Sequence, residues 1–137
     1  MNNGNWELVD LYPGAHIRVK CGNYYHHGIY IGNGEVVQFG LPVETHELKD
    51  IRVLRSPLTD FSEDFSIIEV YRFTEEELME KKTDDIIIQN ALLHVGEGGY
   101  SILKNNCEHF ANKCIFGVTK SSQIDEVYAN VAKWLKL

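Results

Sequence analysis

Two stretches of this chain carry residue types that can do covalent chemistry together. One is Asn105-Asn106-Cys107-Glu108-His109-Phe110, and the other is Tyr24-Tyr25-His26-His27-Gly28-Ile29-Tyr30-Ile31-Gly32. A cysteine attacks carbonyl carbon only as its thiolate, and an imidazole is the usual side chain to remove its proton. Asn105 and Asn106 are both good helix caps, because a short amide side chain can accept from the free N–H groups of a first turn. Cys107 would then open a helix running from Asn106 to Phe116. The unpaired N–H groups there favour negative charge, which lowers a thiol pKa and can hold an oxyanion.

His26 and His27 are neighbours on a strand and point to opposite faces. His26 shares its face with Gly28, and a glycine two positions away leaves room for a close approach. That favours His26 as the base. On the following strand Gln38 falls near Ile29 or Tyr30 if the hairpin register is regular, and it is the candidate to fix the His26 tautomer. Tyr25, Tyr30 and His27 flank the base and are candidates to line a substrate site. Asn106 and Asn105 are the candidates for the helix cap and oxyanion region. His16, His46, His94 and His109 carry no spacing signal and read as structural or exposed. Cys114 lies on the same helical face as Cys107 and reads as a small core hydrophobe, and Cys21 sits in a turn. The closely spaced cysteine or histidine pairs of structural zinc sites do not occur, so no metal is expected.

These residues need a scaffold. Residues 15–20 alternate as a half-buried strand, residues 25–31 form a second, and Asn33-Gly34 is a strong hairpin signal leading to the return strand 35–39. Short strands are expected near 51–54 and 66–73. The period then changes. Thr74 with Glu77 makes a capping box, Thr83 caps a helix over 84–95 that Gly96 stops, and Gly117 stops the cysteine helix. Ser122 with Asp125 would start a last amphipathic helix reaching about Lys136, with Ile124, Val127, Tyr128, Val131, Trp134 and Leu135 on one stripe. That stripe reads as core packing rather than a membrane face. Strands first and helices second predict an α+β domain, an antiparallel sheet with helices packed on one side.

With 137 residues, one domain over 1–137 is expected. The formal net charge of -7 and the lack of a basic run argue against nucleic acid. Average charge also disfavours an anionic membrane, leaving room only for a transient contact through a local patch. An odd number of cysteines, three, and a polar N-terminus predict a reducing, cytoplasmic setting. No apolar run approaches the length of a membrane span. Composition leaves the oligomeric state open.

The paired motifs resemble the lecithin:retinol acyltransferase family, whose members carry His-x-x-Ile-Tyr-x-Gly on a strand, a hairpin, and an Asn-Cys-Glu-His-Phe helix. Here these are His26 to Gly32, Asn33-Gly34, and Asn106 to Phe110. Pro13-Gly14, Phe116-Gly117-Val118 and Ser121-Ser122-Gln123 are also similar. The resemblance implies a permuted relative of the NlpC-type and papain-like thiol hydrolases. It also implies Cys107 as nucleophile, His26 as base and no cofactor. The acyl donor it implies is a phospholipid or another acyl ester, bound as a thioester on Cys107. Where the family commonly has a second histidine, this chain has Gln38. A cysteine peptidase or amidase of the NlpC type, and a non-catalytic module keeping the fold, are the alternatives.

Overall fold

Two tight turns in the first forty residues lay down the centre of a sheet. The computed structural model describes residues 4–41, 47–101 and 106–117. Among these, β1 (Asn5–Glu7), β2 (His16–Cys21), β3 (Tyr24–Gly32), β4 (Glu35–Gly40), β5 (Arg52–Pro57) and β6 (Glu69–Arg72) form one antiparallel sheet in the order β1-β6-β2-β3-β4-β5. Asn33 and Gly34 have φ of 53° and 72°, the paired positive values of a type I′ hairpin turn.

The β3–β4 register is not the regular one. Gly32 pairs with Glu35, but Tyr30 pairs with Val36, so Ile31 is an extra residue in β3. This bulge slides Gln38 from opposite Ile29 to opposite Gly28. Because side chains alternate, that one-residue shift puts Gln38 on the face that carries His26.

The helices are α1 (Leu58–Phe61), α2 (Glu75–Glu80), α3 (Asp84–Leu93) and α4 (Cys107–Phe116). Thr74 and Glu77 make the expected capping box, Thr83 caps α3, and Gly117 in the left-handed conformation ends α4. The stretch expected as a strand from 66 begins instead as a 3₁₀ turn over Phe65–Ile67, where Asp64 accepts from Ser66 N–H. β1 and α1 had no sequence signal. The last expected helix lies outside the described residues.

Two cores result, one on each face of the sheet. Ile29, Val37, Phe39 and Val53 pack under α3 and α4, against Ile87, Ala91, Phe110, Ala111 and Ile115. Ile17, Val19, Val36 and Val70 pack on the other face with Leu58 and Phe61 of α1. The two long helices thus share one side, as the α+β reading required, while short α1 closes the other.

Candidate active site

The first turn of α4 holds the cysteine by a reciprocal cap. Asn106 Oδ1 accepts from His109 N–H at 2.9 Å, and His109 Nδ1 accepts from Asn106 N–H at 3.0 Å. His109 therefore plays the part usually taken by Glu or Gln three residues after the cap. It is buried and structural, as expected, but the Asn106-x-x-His109 spacing that marks its capping role was passed over in the sequence. Asn105 lies outside the described residues.

Cys107 is buried, and its thiol donates to the Tyr25 carbonyl at 3.8 Å. Tyr30 exchanges backbone hydrogen bonds with Gly14 and Ala15, on the β2 side of β3. Alternate residues 25 and 27 therefore aim their amide groups toward β4. The β3–β4 ladder, however, ends at Gly28 and Gln38. The thiol sits in the resulting splay, between the Tyr25 carbonyl and a backbone hydrogen bond from His27, and so beside the backbone of His26.

Burial pushes the Cys107 thiol up, and the Glu108 charge adds to that; backbone hydrogen bonds from His27, Cys107 and Glu108 pull against it. The net direction is upward, opposite to what a helix N-terminus alone suggests, because burial removes the water that would stabilise a thiolate. The resting pair is a neutral thiol and a neutral imidazole. Cys114 is fully buried seven residues on, and burial lifts its thiol to about 12.

His26 and Gln38 meet on the face of α1. The His26 Nε2 donates to Gln38 Oε1 at 2.7 Å, which leaves Nδ1 as the ring's basic nitrogen. Phe61 lies over the ring at 5.2 Å. Gly28 makes this possible, since a Cβ there would stand 3.0 Å from Phe61 and 2.9 Å from Val36. Burial lowers the His26 pKa, and the Gln38 bond partly offsets that.

His27 goes to the other face, where it joins His16. The His16 Nε2 and His27 Nδ1 atoms are 2.8 Å apart, and both rings stand edge-on to Trp6. This pair was not foreseen. The Gly22-Asn23 turn pairs His16 with Ile29, which makes His16 a diagonal same-face neighbour of His27. Arg18 is stacked between Trp6 and Tyr25, 4.3 and 3.7 Å from the ring centres, and is paired with Glu69.

Cys107 opens into a cleft of about 700 Å³ bordered by Tyr24, Tyr25, His27, Ile51 and Tyr100, with Lys49 and Glu108 also on its wall. Tyr25 and His27 of the expected substrate-binding trio thus line it. Tyr30 packs with the α1 core instead, its hydroxyl accepting from Gly34 N–H.

The structure thus seats a helix-capped thiol at the β3 backbone and in an apolar cleft walled by His27, and holds the His26 ring separately, between Gln38 and Phe61. The sequence model of the family described as Lecithin retinol acyltransferase matches residues 10–120. The protein named Phospholipase A and acyltransferase 3 of Homo sapiens is 32% identical over 125 residues, which cover 84% of this chain and 76% of that protein. Its namesake in Pongo abelii matches with the same identity and coverage. Since the match takes in both the β3 histidines and the α4 cysteine, the chain belongs to the lecithin retinol acyltransferase family.

Proposed function

We propose that this protein is a cysteine-dependent acyltransferase with phospholipase-like hydrolysis, working through an acyl thioester on Cys107. The observation that carries the reading is the seat of the Cys107 thiol beside residue 26, together with a His26 ring whose Nε2 is held by Gln38. In the first step His26 Nδ1 takes the thiol proton as sulfur attacks the acyl carbonyl. The carbonyl electron pair moves to oxygen, near the positive end of the α4 first turn, whose Cys107 and Glu108 N–H groups face the sulfur. Collapse then breaks the ester C–O bond, and His26 returns the proton to the departing alcohol. Water, or an acceptor amine or alcohol, next gives its proton to His26 as it attacks the thioester carbonyl; the C–S bond breaks, and the departing sulfur takes the proton back from His26.

Because the resting thiol is raised and His26 lowered, the proton moves during attack rather than before it. Gln38 acts as a positioning residue. It fixes the ring without carrying charge, unlike a carboxylate. Tyr24, Tyr25, Ile51 and Tyr100 give the cleft the apolar walls that suit an acyl chain. The relative's name, phospholipase A and acyltransferase, supports a phospholipid as donor. The test is competition between donors. Purified protein is expected to release fatty acid from a short-chain phosphatidylcholine and to leave a peptide amide of equal size intact. Amide cleavage with no lipid turnover would move the assignment to a peptidase or amidase.

A further inference from the structure

The acyl-transfer reading leaves the His16–His27 pair without a task, and the pair's proton can be placed by elimination. Only one hydrogen can lie between His16 Nε2 and His27 Nδ1. If His27 donated it, neutral His16 would carry its proton on Nδ1. That atom is buried in a ring with no exposure and has no partner among the described residues. A buried N–H without an acceptor is among the rarest defects in native structures, whereas a bare lone pair is tolerated more often. The favoured arrangement therefore has His16 Nε2–H donating to His27 Nδ1. His27 must then hold its own proton on Nε2. His27 borders the cleft into which Cys107 opens.

We propose that His27 donates its Nε2–H to the carbonyl oxygen of the acyl donor during attack by Cys107, with His16 holding His27 in that tautomer. The proposal rests on the acyl-transfer reading above. As the Sγ–C bond forms, the carbonyl electron pair moves to oxygen, the thiol proton goes to His26 Nδ1, and the His27 proton stays on its nitrogen. When the C=O bond re-forms, the ester C–O bond breaks and His26 protonates the leaving alcohol. Adjacent histidines thus divide the work: His26 presents a bare nitrogen and His27 a protonated one. Burial holds the His27 pKa down to about 3, with His26 and Arg18 adding to the effect. The ring therefore stays neutral and can serve as an electrophile without titrating near neutrality.

Two measurements test this. Long-range ¹⁵N–¹H spectra of the uniformly labelled wild-type protein at neutral pH are expected to show both rings protonated on Nε2. A His27 ring protonated on Nδ1 overturns the proposal without any substitution. In kinetics with a short-chain phosphatidylcholine, His27→Phe keeps a ring beside Trp6 but removes the donor. It is expected to lower kcat by about 10²–10³-fold, the usual loss for one oxyanion donor, with KM moved far less. His27→Gln, whose amide can reach the same place, is expected to recover part of the loss. A folded His27→Phe protein with wild-type kcat overturns the proposal. A Cys107→Ala control separates the two levels. If that variant is inactive while His27→Phe is fully active, only the His27 role falls. If it turns over normally, the acyl-transfer reading itself falls.

Discussion

At the scale of single residues, the site is defined by which polar atom each ring nitrogen meets. Gln38 Oε1 can only accept, so His26 must place its proton on Nε2 and its lone pair on Nδ1. Removing the base by His26→Ala is expected to lower kcat/KM by about 10²–10⁴-fold, the usual span for general base catalysis. Gln38→Ala should cost less, since the ring remains and only its orientation loosens. Steady-state kinetics on the two variants check this, and an equal loss would assign Gln38 a more direct part. The pH profile follows from the same ring. Protonated His26 cannot accept the thiol proton, so activity falls as pH drops through the His26 pKa. Burial sets that pKa below 6.5, so the acid limb of kcat/KM is expected below the ordinary histidine range. An acid limb above 6.5 would contradict a neutral, buried base.

At the scale of elements, one bulge and one helix cap bring the parts together. The Ile31 bulge carries Gln38 onto the His26 face, and the Asn106–His109 cap fixes the turn that holds Cys107. Asn106→Ala is expected to destabilise the protein by about 0.5–2 kcal/mol in urea unfolding, the cost of a lost cap. Gly28→Ala should cost about 1–3 kcal/mol as overpacking against Val36 and Phe61, with a loss of activity through the Phe61–His26 contact. Wild-type stability in that variant would show that the neighbours yield freely. Much at this scale was legible. Asn33-Gly34, the Thr74–Glu77 box, the Thr83 cap and Gly117 each act where their chemistry placed them. The bulge was not legible, because nothing in the Tyr30-Ile31-Gly32 sequence marks an unpaired residue. It corrected the expected partner of Gln38 from Ile29 or Tyr30 to Gly28. The end of the β3–β4 ladder at Gly28 and Gln38, beside which the thiol sits, likewise has no mark in the local sequence.

At the scale of the whole molecule, the sheet separates two buried layers, and the histidines are part of that burial. His16 and His27 both have lowered pKa values, chiefly from burial. The unfolded chain binds protons on them below 6.5 while the folded one does not, so folding stability falls as pH drops below 6.5. For His27 that loss continues down to about 3. Each ring can contribute up to about 1.4 kcal/mol of loss per pH unit in its window. Urea midpoints measured between pH 7 and pH 4 are expected to decline accordingly, and to decline less in His27→Phe. Equal slopes in the two proteins would remove His27 from the acid response. The antiparallel α+β class was readable from the change of hydrophobic period between the halves of the chain. The second core under α1 was not, because it depends on contacts between β2, β6 and the Leu58–Phe61 turn that are distant in sequence. Among the described residues no helix is long and apolar enough to cross a membrane. The expected amphipathic helix over 122–136 lies outside those residues.

The central claim is a covalent acyl intermediate on one sulfur, and intact mass reads it directly. Protein mixed with a short-chain phosphatidylcholine and quenched in acid is expected to gain the mass of one acyl group, labile to hydroxylamine. The Cys107→Ala variant should show neither the adduct nor lipid turnover. Phospholipid turnover by Cys107→Ala at the wild-type rate would contradict the account.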